Sequence, residues 1–122
     1  MTATSTQDLL PTRYSLLTGR YNWRTRLQGG VLGGVSPHLI EDGRTTVASL
    51  LHEQGYKTAC IGKWHLGMDW TLLSEKPMPM VGVENAEQAR NVDYGKPIKN
   101  SPTQFGFDHY FGVSASLDMI PK

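Results

Sequence analysis

Three side chains have the types and spacing for chemistry: Arg13, Lys63 and His65. Arg13 follows Pro11-Thr12, at what reads as the start of a short helix. The amino end of a helix presents unpaired N–H groups and partial positive charge, which attract anions. A guanidinium fork in that first turn can hold two oxygens of a tetrahedral oxyanion. Lys63 and His65 belong to the run Gly62-Lys63-Trp64-His65-Leu66-Gly67, directly after a strand-like stretch ending at Ile61. Side chains alternate along extended backbone, so Lys63 and His65 should share one face while Trp64 points away to pack. Lysine brings a full charge, and histidine can donate a hydrogen bond or a proton near neutral pH. The flanking glycines let the backbone turn and approach a ligand closely. The three together predict a cationic pocket for a tetrahedral anion.

The elements that must position them are short. Pro11 to Leu17 reads as a helix, with proline tolerated at its first position and Gly19 as a left-handed cap at its end. A second helix starts at Thr45 or Thr46 as cap, carries an apolar stripe of Val47, Leu50 and Leu51, and stops at Gly55. Tyr56 to Ile61 follows as a buried parallel strand. Helix then strand is the α/β signature, and open α/β folds place ligands at the carboxyl ends of their strands. Leu66 to Asn100 reads as long loops with one helical turn around Ala86 to Arg90. Phe105 to Asp108 is an apolar turn, and Tyr110 to Ser114 a further strand.

Composition removes whole classes. The chain has 122 residues, a net charge of +1 and a single cysteine. No apolar run is long enough to cross a bilayer, so membrane insertion is not expected. Near-zero charge gives no general attraction to nucleic acid. Arg20, Arg24 and Arg26, interleaved with Tyr21 and Trp23, read as a solvated turn whose arginine stems cover the aromatics. One cysteine supplies neither a disulfide framework nor a zinc cage, and Cys60, inside the strand, reads as an inert small hydrophobe. The glycine-rich stretch Gly29 to Gly34 lacks the spacing of a phosphate loop. His52 is expected to be exposed. His38 and His109 lie in or beside loops without ligand spacing.

At this point the residues resemble the sulfatase family. Its first signature has a cysteine or serine, any residue, proline, a small residue and arginine, then a leucine-containing helix and Thr-Gly-Arg. Pro11-Thr-Arg13-Tyr-Ser-Leu-Leu-Thr18-Gly19-Arg20 matches from the proline onward. Residues 62–67 match the second signature, Gly-Lys-Trp-His-Leu-Gly, letter for letter. Thr46 to Ala59, Gly106-Phe-Asp108 with Tyr110-Phe-Gly112, and Ser116-Leu-Asp118 resemble further family segments in the family's order. The resemblance implies a partial alkaline-phosphatase-like α/β fold, with helices packed on a mostly parallel, incomplete sheet. It implies hydrolysis of a sulfate monoester, with a sulfate ester or sulfate anion as ligand and calcium in the complete family domain. Arg13, Lys63 and His65 take the catalytic and substrate-binding positions. A transferring sulfuryl group needs fixed positive charge around its oxygens and help for the departing alkoxide.

Two departures matter. Leu9 stands where the family has its oxidisable nucleophile, and it has no nucleophilic atom. The family's carboxylate ligands are also missing: Asp69, Asp93, Asp108 and Asp118 do not occupy the matching positions, so no metal is expected on this chain alone. Residues 1–9 are expected to be a disordered or non-native start without a signal peptide, and 10–122 a partial amino-terminal sulfatase domain. The chain is therefore expected to be inactive by itself. The alternatives are a non-catalytic anion-binding module and a phosphate-ester hydrolase of the same superfamily. The intact Gly-Lys-Trp-His-Leu-Gly run argues against the latter.

Overall fold

The computed structural model of the chain describes residues 9–80, 82 and 85–115. The expectations for residues 1–8 and for Ser116-Leu-Asp118 lie outside them. Helix α1 runs Leu9–Thr18, two residues earlier than the proline suggests. Pro11 is its third residue, which is tolerated because the first four N–H groups of a helix have no partner within it. Gly19 closes α1 at φ 67°, with its N–H on the Ser15 carbonyl oxygen at 2.8 Å.

Helix α2, Val47–Glu53, begins as expected at a Thr46 cap: the Thr46 side chain accepts from the Ser49 N–H, and the Ser49 side chain accepts from the Thr46 N–H. Its apolar stripe does not go inside. Val47, Leu50 and Leu51 are exposed, and only Ala48 of this helix is buried. The cause is a close approach on the other side. A Cβ on Gly106 would collide with the Ser49 backbone, so α2 meets the 105–107 turn through its small residues.

Strands β1 (Ala59–Ile61) and β2 (His109–Phe111) pair in parallel, with Cys60 opposite Tyr110 and Ile61 opposite Phe111. The register is set just before the strands, where the Asp108 carboxylate accepts from the Thr58 N–H at 2.8 Å and the Asp108 N–H donates to the Thr58 carbonyl oxygen at 2.9 Å. The buried strand expected over Tyr56 to Ile61 is thus shorter and barer: Ile61 and Phe111 are 80% and 82% exposed. Cys60 and Tyr110 pack on the core from the other face of the sheet. The parallel α/β arrangement stands, but with one covered face.

The main core gathers Tyr14, Leu27, Leu32, Leu39, Ile40, Trp64, Leu66, Met68 and Phe105. The long 66–100 segment is pinned by antiparallel bridges from Asp69 to Lys99 and from Leu72 to Val92, and carries α3 (Ala86–Arg90) at the expected helical turn. Met78 packs there with Val35 and Val92, while Met80 stays exposed.

Candidate functional site

Arg13 lies in the second turn of α1, so the free N–H groups of the helix end precede it and do not share its position. Its orientation follows from its neighbours. Leu17, one helical turn on, packs against the main core, and Leu16 points out at 75% exposure. Tyr14, fully buried, donates its hydroxyl to Glu41 Oε2 at 2.7 Å. Glu41 also takes Arg20 at 2.8 Å, and Arg44 stands 3.5 Å away. Burial pushes the Glu41 carboxyl up, but the Tyr14 hydrogen bond, a backbone bond and the two arginines outweigh it and hold the group below its usual range. This knot fixes α1 against the 38–44 segment. The charge of Arg13 acts on the Cys60 thiol of β1, and its buried Nη1 has no hydrogen-bond partner.

The second signature is built as a stapled turn. Beyond β1 the ladder continues through Gly62 to the Phe111 carbonyl, Trp64 to the Val113 carbonyl and His65 to the Ser114 carbonyl. On the other side, Leu39 donates to the Leu66 carbonyl at 2.9 Å and Met68 to the Ser36 carbonyl at 3.1 Å. Trp64 packs as expected. It is 2% exposed, its Nε1 donates to the Gly67 carbonyl at 3.0 Å, and it meets Phe105 and, edge-on, Phe107. The alternation expected of Lys63, Trp64 and His65 does not persist, because His65 takes a left-handed backbone at φ 56°. That turn carries the His65 ring inward to 5% exposure, with Nε2 2.7 Å from the Leu32 carbonyl oxygen. A carbonyl only accepts, so Nε2 carries the proton in this contact. Lys63, just before Trp64, is half-buried.

Several features were not legible in the sequence. His38 sits between two carboxylates, with Nδ1 2.8 Å from Asp69 and Nε2 3.0 Å from Asp42. Asp69 also takes the His38 N–H and the Asn100 amide. Burial raises the Asp69 carboxyl, but these bonds win and hold it low. Arg20 bonds Glu41 rather than remaining a solvated surface charge. Arg26 grips the Pro37 and His38 carbonyl oxygens, and Tyr21 and Trp23 stack on each other at 4.1 Å. His52 is exposed as expected and stands 3.2 Å from Asp108. Burial raises the half-buried Cys60 thiol, which suits an inert side chain.

Among the described residues, no three His, Cys, Asp or Glu side chains gather so as to hold a metal ion. The candidate carboxylates are spent elsewhere: Asp69 on His38 and Asn100, Asp93 on the Gly95 N–H, Asp108 on Thr58. These residues do not by themselves fit the calcium that the family implies, and no step is derived through it.

Comparison with known proteins bears on the same residues. A family profile described as Sulfatase matches residues 2–122. The N-acetylgalactosamine-6-O-sulfatase of Bacteroides thetaiotaomicron is 34% identical over 119 residues, covering 98% of this chain and 19% of the relative. Arylsulfatase A of Bos taurus is 45% identical over 111 residues, covering 91% of this chain and 17% of the relative. A solved structure described under the metabolism of multiple glycosaminoglycans by Bacteroides thetaiotaomicron superposes with a TM-score of 0.66 at 33% identity, covering 91% of this chain and 19% of that one. The chain thus spans under a fifth of the length of these relatives, and both signatures lie within the matched stretch. By its sequence, its parallel α/β core and the turn that carries Lys63 and His65, the chain belongs to the sulfatase family.

Proposed function

We propose that the chain is the amino-terminal oxyanion-holding part of a sulfatase, whose complete activity is hydrolysis of a sulfate monoester. Arg13 supplies a planar two-point clamp, Lys63 a compact charge, and His65 an imidazole ring suited to acid–base work. The observation that carries this reading is the stapled Gly62–Gly67 turn at the end of β1, with the Arg13 charge acting on Cys60 of the same strand and one of its buried nitrogens unpartnered. A tetrahedral dianion would complete that electrostatic arrangement.

The chain by itself is hydrolytically silent in this account. Leu9, within α1, stands where the nucleophile belongs, and the described carboxylates are committed to internal bonds. The same Leu9 favours a second reading, an anion-binding module that keeps the pocket without the chemistry. A chromogenic aryl sulfate with added calcium tests the first: no turnover is expected, and turnover lost in Lys63→Ala would contradict silence. Sulfate titration followed by tryptophan fluorescence tests the site, with saturable binding expected to weaken at least about tenfold in Lys63→Ala. A binding curve unchanged by that substitution would remove the oxyanion assignment. Saturable binding by a cooperatively folded monomer would favour the module over a broken portion of an enzyme.

A further inference from the structure

Among the described residues, the buried polar atoms without a hydrogen-bond partner include Arg13 Nη1 and the Tyr110 hydroxyl, and both side chains interact electrostatically with Cys60. Tyr110 is the register partner of Cys60 across the parallel pair, so the two side chains leave the sheet on one face. That face packs on the main core, which also receives Leu17, one helical turn beyond Arg13. The Arg13 charge acts on the Cys60 thiol, and Cys60 in turn acts on the Tyr110 phenol. Burial first, and Cys60 second, push the phenol above its usual value, so it remains a donor at neutral pH. A buried guanidinium N–H has no acceptor capacity to offer, and a buried hydroxyl without a partner bears its full desolvation cost. Two such donors, one on α1 and one on β2, both interacting with Cys60, call for a shared acceptor rich in lone pairs.

We propose, resting on the oxyanion reading above, that Tyr110 is a further sulfate-binding residue: its hydroxyl and Arg13 Nη1 form a two-donor seat above Cys60 for oxygen of the bound sulfate group. Arg13 supplies charge that acts at a distance, while the neutral phenol fixes which way the anion's oxygens point. The sequence gives no hint of this role, because Tyr110 reads as a core strand aromatic. Only the parallel register places it beside the strand that leads to Lys63.

Sodium sulfate titrated into the full 122-residue chain and into its Tyr110→Phe and Arg13→Lys variants tests this, with each variant's melting also measured in sulfate-free buffer. Tyr110→Phe should weaken sulfate binding about tenfold, as expected for a hydrogen bond to a charged group. Its sulfate-free melting should stay equal or rise, because an unsatisfied buried donor has been removed. A lower sulfate-free melting would mean that the phenol already has an internal partner, and would overturn the proposal. Unchanged affinity in Tyr110→Phe alongside weakened binding in Arg13→Lys would overturn the role of Tyr110 and leave the oxyanion site standing. No saturable binding by the unsubstituted chain would overturn both.

Discussion

Gly67 is the tightest point of the turn that carries Lys63 and His65. Its backbone is left-handed at φ 72°, and a Cβ there would collide with the Pro37 carbonyl group. Gly67→Ala should therefore cost at least about 1–3 kcal/mol of stability through strain and overpacking, checked by chemical denaturation. An unchanged midpoint would mean that the turn yields easily. Trp64 is the opposite case, a side chain whose place was legible: a large aromatic between polar neighbours at a strand end belongs inside. Trp64→Ala should cost about 3–5 kcal/mol, enough to unfold a small domain. His65 was not legible to the same degree. Alternation holds only for extended backbone, and a histidine at φ 56° is set by the tertiary staples on both sides of the turn, which no local pattern records.

At the scale of elements, the Thr46 cap and α3 at Ala86–Arg90 were readable because capping and short helical turns are local chemistry. Thr46 does more than cap. Its hydroxyl also donates to the Phe105 carbonyl oxygen at 2.5 Å, joining α2 to the turn before β2. Thr46→Ala should cost about 2 kcal/mol, above an ordinary cap, because it also leaves that buried carbonyl without a donor. Thr46→Ser should recover most of the loss in a melting experiment. The clasp of Asp69 with His38 and Asn100 ties the 37–42 segment to the 69–70 and 99–100 crossing. Its carboxyl is held below the usual value, so the unfolded chain binds more protons as the solution is acidified. The stabilisation is present above the ordinary carboxylate pKa of about 4 and is lost as pH falls through the lower folded value. Asp69→Asn should lower the melting temperature at neutral pH and flatten its fall below about pH 4. An identical acid limb in the two proteins would assign acid sensitivity to other groups.

For the whole molecule, the α/β class and the order of elements followed from the helix–strand succession and the two signatures. Which faces are covered did not. Val47, Leu50 and Leu51 look like a stripe to be buried, and Ile61 looks like a core strand residue, yet all are open. Burial depends on what packs against an element, and this chain spans only 19% of the length of the relatives it matches. A parallel pair with one bare face and, among the described residues, no further strand at its edges invites self-association. The isolated chain should therefore associate as its concentration rises, seen by light scattering. Replacing Ile61 and Phe111 together by lysine should reduce that association without changing the circular dichroism. A wild-type chain that stays monomeric at high concentration would show that the bare face is harmless.

The central claim is that Arg13, Lys63 and His65 converge on one tetrahedral anion. A crystal structure of the chain grown with sulfate tests it directly. The account predicts one sulfate within hydrogen-bond distance of the Arg13 guanidinium and the Lys63 ammonium, with the His65 ring beside it. Arg13 and Lys63 directed to opposite sides of the sheet, with sulfate held elsewhere or nowhere, would contradict it.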